Sequence, residues 1–236
     1  MTFICATITK EGGVISQDTM AYRANAAAFA HGRDHGGLAV DQQDAATSCF
    51  KGGGGAHTID VLGHTFKMFP MPHLNMVIGG TGSTAMIARW WSEIPILGVT
   101  TIDELNAVAP ATLCRLRSEL GEAGDAVIVH VGYCCERGSG IGFVYSFHDD
   151  FAPVELSPGE TLSAGLDVND PDYAEIYALW AEANQGRHVV ELHRAVFAQS
   201  CRAFEAGKMA PGVGIGGQLQ SVTVSADAIT ISGEAA

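Results

Sequence analysis

Residues 66–91 read FKMFPMPHLNMVIGGTGSTAMIARWW, and the fold turns on how this stretch is divided. Two short apolar runs, HTFKMFPM and LNMVIGG, are separated by Pro70 and Pro72. Proline cannot donate to a β-ladder, so each is expected at a strand end, with the two runs forming a hairpin. The pair Gly79 and Gly80 then closes a strand and leads into a helix through STAMIARWWSEI, for which Ser83 supplies a side-chain cap. Lys67 lies inside the first apolar run, where a charge needs a partner. It is one of only four lysines, with Lys10, Lys51 and Lys208.

Upstream, TFICATIT alternates and is rich in β-branched residues, and after the turn at Gly12 and Gly13 the run VIS follows, so the chain is expected to start with a hairpin. From about His31 to Gly63 the composition shifts to glycine, alanine and polar residues, including Gly52 to Gly55, which reads as a long loop. Downstream, Thr101 caps a second helix with Ile102, Leu105, Ala109, Leu113, Leu116 and Leu120 on one face. Pro110 inside that pattern predicts a kink or a break. AVIVHVGYCC and GIGFVYSF read as paired strands around Gly138 to Gly140. Helices over about Asp172–Ala183 and His188–Ala206 follow, the latter stopping near Gly207. LQSVTVS and AITIS close the chain as strands. Paired helices set between blocks of antiparallel strands predict an α+β fold, a four-layer αββα sandwich with helices over both outer sheet faces. At 236 residues, one domain spanning 1–236 with the insertion at about 31–63 is expected.

Hydrophobic residues make up 47% and charged residues 17%, which suits a packed globular chain. The net charge of -13 opposes binding to nucleic acid or to an anionic membrane face, since both carry the same sign. No stretch reaches the roughly eighteen apolar residues of a membrane span and the start lacks a basic leader, so a cytoplasmic protein is expected. None of the six cysteines forms a C-x-x-C pair, and reduced thiols fit that compartment. No metal site is expected: His31 and His35 sit among glycines, and His188 and His193 fall on different helix faces and read as surface residues. Gly52 to Gly55 lacks the following lysine and hydroxyl of a phosphate loop. Trp90 and Trp91 point to neighbouring faces, so one of them is available to a subunit interface.

In order and landmarks the sequence resembles the proteasome β subunit, of the N-terminal-nucleophile hydrolase superfamily with a threonine nucleophile. The landmarks are Thr2 after the initiator methionine, GGVISQDT around Asp18, the stretch from Lys67 through Gly79 and Gly80 into the helix, DAVIVHVGY, and GIGGQLQSVTVSADAITI. The resemblance implies that Thr2, once Met1 is removed, acts as nucleophile and, through its free α-amine of pKa about 7.7 to 8.0, as base. It implies that Lys67 lies beside the threonine hydroxyl and favours its deprotonation, and that Asp18 holds the lysine. Gly79 and Gly80 are the expected oxyanion donors, aided by the helix dipole. No cofactor is needed. The segments expected to support the amine read LSAGLDV, with Ser163 and Asp167, and PGVGIGG, which has no acid. Two functions follow: a peptidase acting on peptide or protein substrates, or a non-catalytic structural or assembly protein. Either implies a homo-oligomeric ring; the sequence is silent on an ATPase partner.

Overall fold

The computed structural model describes residues 3–24, 59–163, 170–208 and 214–233. It is an α+β fold whose first half builds β1 (Ile4–Thr9), β2 (Gly12–Asp18), β3 (Met20–Ala24), β4 (Ile59–His64), β5 (Phe69–Met71) and β6 (Met76–Gly82), then α1 (Thr84–Leu97) and α2 (Ile102–Leu120). The second half adds β7 (Ala126–Cys134), β8 (Ser139–Ser146), β9 (Pro153–Leu156), β10 (Thr161–Ser163), α3 (Tyr173–Ala183), α4 (Val189–Glu205), β11 (Leu219–Ser225) and β12 (Ile229–Gly233). Two antiparallel sheets have five strands each, ordered β10-β1-β2-β11-β12 and β5-β6-β7-β8-β9, and β3 pairs with β4 apart from them.

Strand alternation sorts the core into three apolar clusters. Ile4, Ala6, Ile8 and Ile15 of the first sheet meet Val77, Val129 and Val131 of the second. The intervening residues Phe3, Cys5 and Val14 pack with Ile176, Leu192 and Val196 of α3 and α4. On the second sheet, Met76, Ile78 and Ile128 pack with Met86, Trp90, Leu105 and Leu113 of α1 and α2.

The expected hairpins form, and both caps are made: Ser83 accepts from the Met86 amide, and Thr101 forms a capping box with Glu104. Pro70 sits within β5, an edge strand, where its missing donor costs no ladder bond. Several expectations need correction. Helix α2 runs unbroken through Pro110. A helix-interior proline costs about 3 kcal/mol, whereas burying an aliphatic side chain gains about 1.5–3 kcal/mol, and α2 buries Ile102, Leu105, Ala109, Leu113 and Leu116 on one face. Residues 59–63, the end of the stretch read as loop, lie in β4; residues 31–58 of it, with His31, His35 and Gly52 to Gly55, lie outside the described residues. The short strands β9 and β10 carry too few residues to show a period.

His193 is the largest reversal: it is fully buried, not on the surface. Its Nδ1 lies 2.7 Å from Ser16 Oγ and its Nε2 3.0 Å from Thr7 Oγ1, so α4 is fastened to two strands of the first sheet. Ser16 Oγ in turn lies 2.7 Å from Ser221 Oγ on β11. Trp90 is fully buried and donates through Nε1 to His130 Nε2 at 2.9 Å, while Trp91 is partly exposed and donates to the Pro70 carbonyl at 3.1 Å. The described cysteines Cys5, Cys114, Cys134, Cys135 and Cys201 are free. Among the described residues, no helix is long and apolar enough to cross a membrane, and no group of three or more His, Cys, Asp or Glu could hold a metal ion.

Candidate functional site

Asp18 is the last residue of β2, paired with Leu219 of β11, and Lys67 lies two residues before β5. They meet because β2 and the chain entering β5 converge at the same end of the two sheets. Lys67 Nζ lies 3.2 Å from Asp18 Oδ1 and donates to the Met20 carbonyl at 2.6 Å. Both side chains are nearly removed from solvent, at 7% and 0% exposure. Burial lowers the Lys67 pKa from its usual value, and the charge and hydrogen bond of Asp18 oppose that shift.

Asp18 also gathers backbone donors. The Phe3 amide donates to Oδ1 at 3.2 Å and the Gly216 amide to Oδ2 at 3.4 Å. The carboxylate thus joins the chain's first described residue, the lysine and the approach to β11. Its negative charge reaches Cys201 on α4 as well: burial first, then Asp18, raises that thiol to about 11, which keeps it protonated near neutral pH. Thr2, the expected nucleophile, lies outside the described residues, as does Asp167; Ser163 pairs with Cys5 in the first sheet.

Gly79 and Gly80 stand inside β6, opposite Val129 and Ile128 of β7, and Thr81, Gly82 and Ser83 separate them from α1. The expected opening of a helix at these glycines is therefore corrected, and the helix dipole does not act on them directly because its effect is confined to the first turn. The two glycines differ in direction. The Tyr133 amide donates to the Asn75 carbonyl and the Ser83 amide to the Asp125 carbonyl, at 3.0 Å each. Odd-numbered residues of this uninterrupted register therefore turn their polar groups toward β7, Gly79 among them. Gly80 directs its N–H and C=O to the opposite edge. β5 pairs with β6 only up to Phe69 opposite Ile78, and Lys67 precedes that end.

Gln17 occupies the space left by the missing side chain of Gly79. It is 1% exposed, its Nε2 donates to the Gly80 carbonyl, and its Oε1 has no hydrogen-bond partner among the described residues. A Cβ on residue 79 would stand 2.7 Å from that oxygen and 2.7 Å from Ile15 Cδ1. Sequence reading passed Gln17 by, although the alternation Gly13, Ile15, Gln17 places it on the face that meets the second sheet. Cys201 and the amides of Phe3 and Gly216 carried no such signal, because contacts across 15 to 198 residues do not follow from local pattern.

No family model matches the sequence, and no curated protein matches it. Among solved structures, the chain is similar to the Anbu (Gly-1) mutant from Hyphomicrobium sp. strain MC1, with a TM-score of 0.60 and 13% identity over 99% of this chain and 87% of that one. At that identity the likeness is one of fold alone. The assignment to the proteasome β subunit and its threonine peptidases, drawn from sequence landmarks, is corrected: what the described residues form is a β-rich body of two antiparallel sheets plus helices, and its likeness to a solved structure is one of fold.

Proposed function

We propose that this chain is an amide hydrolase, acting on peptides, with Thr2 as nucleophile and, after removal of Met1, as its own base. The observation that carries the reading is the buried Lys67 and Asp18 pair, whose carboxylate also holds the amide of Phe3, the residue that follows Thr2. A buried ammonium beside a threonine hydroxyl favours the alkoxide during attack, and the α-amine takes the proton. Gly80, whose N–H leaves β6 on the edge away from β7, is the better oxyanion donor of the two glycines; Gly79 spends its polar groups on the ladder. The reading includes a single four-layer αββα domain, a cytoplasmic setting and assembly into a homo-oligomeric ring.

A second reading, a non-catalytic assembly protein, is favoured by apolar side chains exposed on the helices: Trp91, Ile96 and Leu97 on α1 and Tyr177 on α3. One experiment separates the two. Intact mass first establishes that Met1 is absent from the protein made in its native host. Wild type and Thr2→Ala are then treated with a peptide epoxyketone, which needs both hydroxyl and amine. A stoichiometric adduct on wild type alone supports the hydrolase; retention of Met1 in every molecule, or equal labelling of the two proteins, rejects it.

A further inference from the structure

We propose that Gln17 is a positioning residue for this site, holding the Gly80 edge of β6 in the orientation that aims its N–H out of the ladder. The inference rests on the reading just given, because Gly80 is the oxyanion donor there. Three observations carry it. Gln17 is the polar residue at the end of a face otherwise made of Gly13 and Ile15, which pack against the second sheet. An amide on such a face costs desolvation unless it is bonded, and its Nε2 is bonded to one backbone carbonyl, that of Gly80. Gly79 makes the approach: any side chain there would collide with Gln17 Oε1 and Ile15 Cδ1.

The geometry explains why this carbonyl needs a partner. Gly80 turns its C=O away from β7, and β5 ends before reaching it, so no ladder bond is available on that side. Gln17 supplies the missing donor from the facing sheet. The N–H and C=O of one strand residue share an edge, so fixing the carbonyl fixes the direction of the N–H. Glycine at 80 has the widest backbone freedom of any residue, which makes an external hold on its orientation matter more than at a substituted position. Gln17 Oε1 remains a buried acceptor facing Gly79 with no partner among the described residues, so replacing the amide by an apolar side chain removes both the hold and one unsatisfied atom.

The test uses the full chain with Met1 removed, comparing wild type, Gln17→Met and Gln17→Glu by epoxyketone inactivation, with the maximal rate and the half-saturating concentration read separately. Gln17→Met is expected to lower the maximal rate roughly ten- to a hundredfold, short of the 10²–10³ that follows outright loss of an oxyanion donor, with half-saturation within about twofold of wild type. Gln17→Glu is expected to match it at pH 8, where an ionised carboxylate cannot donate. Its rate relative to wild type should recover as pH falls and the protonated carboxyl donates to the Gly80 carbonyl. A purely structural role gives no such recovery. Unchanged maximal rates in both variants, or a loss confined to half-saturation, overturn the proposal. Should Gln17→Met fail to fold, the near-isosteric Gln17→Glu decides through its pH profile. If wild type takes no label, the hydrolase reading falls by itself, and hydrogen exchange over residues 76–82 decides this one. Faster exchange confined to that segment in Gln17→Glu sustains it; unchanged exchange rejects it.

Discussion

Burial works against the Lys67 charge and the Asp18 carboxylate opposes that shift, while the Met20 carbonyl accepts from its Nζ, so the two side chains depend on each other. Removing the cation leaves a carboxylate buried beside two backbone amides, so Lys67→Met should lose about 3–5 kcal/mol of unfolding free energy in urea titrations. Adding Asp18→Asn to that variant should recover part of the loss, since the amide oxygen still accepts while the stranded charge is gone. No recovery would mean that Asp18 is stabilised by other cations. The paired glycines offer a second comparison. A Cβ at residue 80 would stand 2.5 Å from the Val127 carbonyl oxygen, which belongs to the ladder, whereas at residue 79 it meets only the ends of Gln17 and Ile15. Gly80→Ala should therefore be the more destabilising substitution, by about 1–3 kcal/mol, with Gly79→Ala milder in the same assay.

Elements whose period or cap lies within a few residues were legible before any coordinates: the hairpin β1–β2, the caps at Ser83 and Thr101, the buried stripe of α2 and the strands β11 and β12. Thr101→Ala, which removes the capping box that joins Thr101 to Glu104, should cost about 1 kcal/mol in the same urea measurement; Thr101→Ser should cost less than half of that. What escaped sequence reading depends on partners far along the chain. Pro110 reads as a break until the buried face of α2 outweighs it. His193 reads as a surface residue until Thr7 and Ser16 surround it, and the two glycines read as a helix entrance until β7 pairs alongside them. Asp18 and Lys67, which the resemblance set side by side, are in contact. Gln17 was not found, because its partner is a backbone carbonyl 63 residues away and carbonyls leave no mark in composition.

At the scale of the molecule, a buried histidine ties a helix to each sheet: His130 bonds Trp90 of α1 from the second sheet, and His193 of α4 meets Thr7 and Ser16 of the first. Burial pushes both pKa values down to about 3, against about 6.5 for the exposed side chain. The folded state therefore holds these rings neutral, and the unfolded chain takes up their protons first. Stability is full above about pH 6.5 and is lost progressively as pH falls from there toward 3. Urea midpoints measured at pH 7.5, 5.5 and 4.5 should decline in that order, with a flatter profile in His130→Leu; equal midpoints would contradict the neutral assignment. The strand order β10-β1-β2-β11-β12 has a consequence for biosynthesis. The hairpin β1–β2 leaves the ribosome with both flanks unpaired, and the strand that covers β2 is not made until Leu219–Ser225. At about 5–20 residues per second, the nascent chain carries that open edge for on the order of ten to forty seconds, which makes it a surface for chaperones until β11 emerges and covers it.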